Sequence, residues 1–212
     1  MHKTMFAFVA AAAAASSTVA FAQSDKPRAA TYITKEEIDT VNSTPGTDRN
    51  IRVVDIGTEH LAIGVIHRGP SASPDRPRGG GLQRLANEPP CGVAEANPAP
   101  TDAANGLTHE KQTEGYYIIS GGGVLVTGGH LVNGRQDSPD SPLVTTLNGP
   151  TCHGAIGGPD VVKRQVKAGD VIIIPPGVPH GWAEVPDHVD YLSFRPSGDL
   201  FTAGYVNPAL KK

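Results

Sequence analysis

Apolar and polar positions change rhythm three times along the chain. Residues Met5–Ala15 form one apolar, alanine-rich run behind a weakly basic start at His2 and Lys3. A short helical stretch follows. Thr34-Lys35-Glu36-Glu37 has the spacing of a capping box, with Thr34 as N-cap and Glu37 three residues on, and predicts a helix to about Asn42. From Ile51 onward the period falls to two. Arg52–Ile56 and His60–His67 read as strands interrupted at Gly57, and residues 114–120, 124–127, 161–167, 171–174, 180–185 and 189–194 as further strands. Gly121-Gly122-Gly123 reads as a tight turn between two of them, and Ala168-Gly169-Asp170 as another. Residues 69–105 and 133–158 read as irregular insertions rich in Gly and Pro. One early helix and many short, evenly spaced strands predict an all-β sandwich or barrel.

The first 22 residues stand outside that pattern. Their apolar run ends in Ala20-Phe21-Ala22, a small-x-small cleavage signal, which is the layout of a secretory signal peptide. The run is too short for a stable membrane anchor. Cleavage after Ala22 is expected to leave residues 23–50 as an arm with the short helix, and residues 51–212 as one β-barrel domain in the periplasm or outside the cell. The 212-residue chain carries a formal charge of −3, and loss of Lys3 with the signal makes it −4. Neither value, nor any clustered basic face, suits nucleic acid or an anionic membrane as partner. Export would also place Cys91 and Cys152 where they oxidise, so a disulfide between two Pro/Gly-rich loops is expected, worth about 4 kcal/mol by loop closure. A reactive or metal-binding thiol pair is the alternative, though no CxxC spacing supports it.

Candidate chemistry lies in two stretches. The first runs from Gly106 to Gly121 and contains His109 and Glu114. The second runs from Gly169 to His180 through Pro175, Gly177 and Pro179. Each puts a metal-capable side chain beside a stiff β element, which lowers the cost of holding ligands in fixed geometry. Two imidazoles and one carboxylate suit a borderline or hard divalent ion, with positions left open as in the facial triad of non-haem iron sites. Tyr116 and Gln112 share the parity of Glu114 and so face the same side. Trp182 shares the face of His180, as pocket wall or as core. His67 shares a face with Leu61, Ile63 and Val65 and is a candidate to line the pocket; a hydrogen-bonded core histidine is the other reading. Arg195 either pairs a substrate carboxylate or forms a surface salt bridge.

These two stretches resemble the two motifs of the cupin superfamily. Gly169, Pro175, Gly177 and His180 match the second motif. His109 and Glu114, followed by Tyr117-Ile118-Ile119-Ser120-Gly121, match the first in part. Leu107 stands where the family has its first histidine, and Glu184 where it often has Asn. The resemblance implies a jelly-roll, double-stranded β-helix and a metal site on His109, Glu114 and His180. The ion would be Fe, Mn, Zn, Ni or Cu. With Leu107 in place of a ligand, three outcomes are open: an extra position for water or substrate, a replacement ligand (Gln112, His67, His130 or His153), or no metal and an organic ligand instead.

The implied function is a metal-dependent oxidoreductase, isomerase or lyase acting on a small molecule, with Glu114 as ligand or, if unbound, as general base. The alternative is a periplasmic module that captures a small ligand or a metal without chemistry. A shell that mainly self-associates, as a homodimer for example, would need a long exposed apolar strand, and residues 52–66 are the expected place.

Overall fold

A computed structural model of the chain describes residues 27, 29–71, 88–95, 103–198 and 200–211. The expected signal peptide and most of the arm behind it lie outside the described residues. The helix α1 spans Lys35–Asn42 and starts as its capping box dictates. Thr34 Oγ1 accepts from the Glu37 amide and Glu37 Oε2 from the Thr34 amide, both at 3.3 Å.

Eleven strands follow among the described residues: β1 Asp48–Asp55, β2 His60–Arg68, β3 Pro90–Cys91, β4 Asn105–His109, β5 Glu114–Thr127, β6 His130–Gln136, β7 Thr151–Gly157, β8 Val162–Lys167, β9 Val171–Ile174, β10 His180–Glu184 and β11 Val189–Pro196. All the strand pairs are antiparallel. One sheet carries β1, β2, β11, the first half of β5, and β9. The other carries the second half of β5 with β8 and β10, then β4, β7, β6 and β3. This is a double-stranded β-helix with one short N-terminal helix, and β5 runs through both of its sheets.

Gly121-Gly122-Gly123 is therefore not a turn. The strand continues through it and passes from one sheet to the other. Gly121 takes a φ of +65°, and a Cβ on Gly122 would lie 2.4 Å from the Val166 carbonyl oxygen. Only glycine lets the backbone bend and be crossed so closely. The segment 133–158 also departs from the irregular insertion expected of it. It holds the end of β6, one π-helical turn over Val144–Asn148, and β7.

The barrel core gathers Ile66, Tyr116, Ile118, Leu125, Val166, Ile174, Val185, Val189 and Tyr191. A second apolar cluster lies on the outer side of the first sheet. There α1 lays Val41 and Ile38 over Ile51, Val65 and Leu192. Val53, Ala62, Val65 and Ile66 are thus buried, and residues 52–66 do not form the long exposed apolar strand that self-association would need, Ile56 being their one exposed large apolar side chain. Val171 and Ile173 of β9 form an exposed apolar pair, each 66% accessible, next to Tyr117. The disulfide Cys91–Cys152 joins β3 to β7 and closes 61 residues.

Candidate metal centre

Three chain crossings bring the site together. β4 ends at His109, β5 begins at Glu114, and β10 begins at His180, which stands in register with Leu107 of β4 and Thr127 of β5. Glycines set the close approach of β4 and β10. A Cβ on Gly106 would lie 2.5 Å from the His180 carbonyl oxygen, and one on Gly181 2.3 Å from that of Asn105. The proline-stiffened loop before His180 is tied to β4 by the Gly177 amide, which donates to the His109 carbonyl at 2.8 Å.

His109, Glu114 and His180 converge. Nε2 of each histidine lies 3.2 Å from the same oxygen, Oε2 of Glu114. The imidazole centroids are 5.3 Å apart, and one ligand atom from each residue falls within 4.8 Å of the others. All three side chains are buried. The rings are oriented from behind. Nδ1 of His109 lies 2.9 Å from the Asn148 carbonyl and Nδ1 of His180 3.0 Å from the Val178 carbonyl. A carbonyl only accepts, so Nδ1 carries the hydrogen in both rings. In the neutral imidazoles each Nε2 then turns a lone pair toward Glu114. Burial holds the His109 imidazole below its usual titration range, against the pull of Glu114, which favours that neutral form.

The carboxylate is held just as firmly. Oε1 of Glu114 accepts from Arg195 Nε at 2.8 Å and Oε2 from the Tyr116 hydroxyl at 2.8 Å. Burial alone would raise the Glu114 carboxyl, but the Arg195 guanidinium outweighs it and keeps the group well below the usual carboxylate range. Arg195 is itself 1% exposed. Its other end pairs with Asp48 and donates to the Leu147 carbonyl. It is neither a surface salt bridge nor a free substrate anchor. Burial raises the Asp48 carboxyl despite that pairing, and raises the Tyr116 hydroxyl well above its ordinary value.

The remaining candidates fall in different places. Gln112 stands behind His109, its Nε2 donating to the Asn148 carbonyl and lying 3.5 Å from His109 Nδ1. As placed, its amide lies on the side of the ring away from the convergent atoms. His67 does not line the interior. It points outward and exposed, with Nδ1 2.7 Å from Asp190. β2 is covered on both faces, and Val65, the neighbour that suggested an inward face for His67, packs under α1 instead. His130 pairs with Glu95 and His153 with Asp137, so neither replaces the ligand missing at Leu107. Trp182 packs on the barrel core and its Nε1 lies 3.4 Å from the Tyr191 hydroxyl. The role of Arg195 was missed. Its burial, on the same face of β11 as Val189, Tyr191 and Ser193, is set by the packing and carries no signal in the sequence.

No protein-family model matches the chain. No curated protein matches it either. Several solved structures do. A Klebsiella pneumoniae protein with a double-stranded β-helix domain is 17% identical, covering 77% of this chain and 89% of its own, at a TM-score of 0.35. A recombinant oxalate oxidase in complex with glycolate is 17% identical over 73% of this chain, at a TM-score of 0.32. A DMSP lyase from Ruegeria pomeroyi is 16% identical over 78%, at a TM-score of 0.34. This chain spans 53% of the length of each of those two. Each likeness is one of fold.

The donor set fits a divalent ion. Two neutral nitrogen donors and one ionised oxygen converge inside a stiff frame, and three protein ligands leave coordination positions open. Without a cation between them, two lone pairs would face an anionic oxygen in a site that water does not screen.

Proposed function

We propose that this protein is a metal-dependent enzyme of the oxidoreductase, isomerase or lyase type, acting on a small molecule inside its barrel. His109 Nε2, His180 Nε2 and Glu114 Oε2 hold one divalent ion. The observation that carries the reading is the aim of those three atoms at one point, with both Nδ1 atoms committed to backbone carbonyls. Such an ion supplies Lewis acidity at a substrate oxygen, or a redox centre if it is iron, manganese or copper.

The protein's own groups have distinct tasks. The Asn148 and Val178 carbonyls fix the tautomers that make both histidines ligands. Arg195 keeps Glu114 ionised and fixes the plane of its carboxylate. The Tyr116 hydroxyl, protonated and 2.8 Å from Glu114, is a second proton-bearing group beside the site. Its presence favours an enzyme over simple capture. Tyr191 and Trp182 form an aromatic wall beyond it. The Cys91–Cys152 disulfide supports a place outside the cytoplasm, in the periplasm or secreted.

Elemental analysis of protein purified without a histidine tag tests the reading. About one equivalent of a transition metal per chain is expected, and very little in His109→Ala or His180→Ala. Equal metal content in wild type and both variants would remove the assignment.

A further inference from the structure

Arg68 is the inward-facing cation that the metal centre does not use. It follows Ile66, a core residue, by two positions on β2 and stands opposite Val189 of β11. Its Nε donates to the Tyr191 hydroxyl at 3.0 Å. Among the described residues no carboxylate pairs with it directly, Asp48 acting on it from beyond ion-pair distance, and the Tyr191 oxygen is its one acceptor. Arg195 on the same side of the fold is paired with two carboxylates. A guanidinium carries five N–H donors in a planar fork that matches a carboxylate. Here most of that fork is uncommitted among the described residues, in a half-buried side chain.

Tyr191 has the same imbalance. Its oxygen receives N–H groups from both Arg68 and Trp182, and among the described residues its own O–H has no acceptor. Its ring stacks on Tyr116 at 4.4 Å, and Tyr116 reaches Glu114. A surplus of donors therefore begins one aromatic pair away from the metal ligands. Tyr191 packs in an apolar core with Ile66 and Val189, and Trp182, Ile172 and Val178 pack against the same core. Charge points the same way. With a divalent ion in place, two guanidinium groups and the ion would face, among the described residues, Glu114 and Asp48 alone, an excess of two positive charges there.

We infer that Arg68 and the Tyr191 hydroxyl form a carboxylate-binding subsite, so that the substrate of the barrel is a small carboxylic acid with an apolar body. The acid would be anchored by its carboxylate at Arg68 and would present its other end toward Glu114 past Tyr116. The substrate class rests on the metal-enzyme reading; the anion site rests on Arg68 and Tyr191 alone.

The test is calorimetric titration of the metal-loaded full-length mature protein with acetate, butyrate and benzoate, each beside its neutral amide. At least one acid is expected to bind more tightly than its amide. Arg68→Met should weaken that acid about tenfold or more, Arg68→Lys less, and Tyr191→Phe by a smaller factor. Metal content of Arg68→Met should stay at the wild-type level. Acids that bind no better than their amides, or bind Arg68→Met as tightly as wild type, overturn the inference. If Arg68→Met does not fold, unchanged affinity in Tyr191→Phe overturns it instead. Acid-selective binding that is lost in Arg68→Met, in protein that holds no metal, would sustain the anion site and refute the metal reading.

Discussion

The same two strands, β5 and β11, contribute to two histidine–carboxylate clusters, one inside the barrel and one outside. Outside, His67 Nδ1 meets Asp190 Oδ1 at 2.7 Å, and Ser120 donates to Asp190 Oδ2 at 2.8 Å. Inside, two histidines meet one oxygen of Glu114 at 3.2 Å. The residue types match and the distances are close. What differs is access to water. The His67 side chain is 47% exposed, whereas those of His109 and Glu114 are 3% and 2%. Water can satisfy any group left over on the outside, so the outer cluster demands nothing further. Inside, every lone pair and charge must be met by protein or ligand. Proximity of histidine to carboxylate is thus a weak sign of a metal site, and buried convergence of unprotonated nitrogens is a strong one.

The contrast can be broken or sharpened by four measurements, from the largest effect to the smallest. His180→Ala should empty the centre of nearly all its metal by elemental analysis, while His67→Ala keeps the wild-type content. If both lose metal equally, the two clusters do not differ as argued. Arg195→Met leaves the buried Glu114 and Asp48 carboxylates without their cation and should cost about 3–5 kcal/mol in urea unfolding. A loss no greater than that of an exposed pair would show that the interior is wetter than its burial implies. Tyr116→Phe removes one hydrogen bond to Glu114 and should cost about 1–2 kcal/mol by the same method, with the fold retained.

Asp190→Asn should cost the least, about 0.5 kcal/mol, because solvent screens the outer pair. Burial would raise the Asp190 carboxyl, but the hydrogen bonds from His67 and Ser120 outweigh it and lower the group from its ordinary value of 3.8. A lowered carboxyl stabilises the fold fully above that ordinary value. Its contribution fades as the pH falls through the lowered one. The gap between wild type and Asp190→Asn should accordingly close on acidification below about pH 4 and stay constant above it.

Much of the His109–Glu114–His180 site was legible because its parts are local. His109 and Glu114 flank a short bend, and Pro175–Pro179 stiffens the approach to His180. The capping box was legible for the same reason: Thr34 and Glu37 are three residues apart and bond each other. Parity failed at His67, because alternation shows that a strand has two faces without showing which is the inside. β2 buries Ile66 in the barrel and Val65 under α1, so both faces carry apolar residues and neither announces itself. The glycine run failed for a related reason. Gly121–Gly123 serves either to turn a chain or to let another backbone cross it, and only the neighbouring Val166 carbonyl distinguishes the two.

From its order of residues alone this chain specifies where its first helix begins, that short strands follow, and which three side chains are chemically suited to one ion. Folding decided the rest. Arg195 reaches Glu114 across 81 positions and Asp48 across 147, and the carbonyl of Asn148 selects the tautomer of a histidine 39 residues earlier. A side chain's charge and reach travel with the residue, but its partner and its exclusion from water exist only once distant strands are packed. That is why the same arginine type is locked between two acids at position 195 and left facing the barrel without one, among the described residues, at position 68.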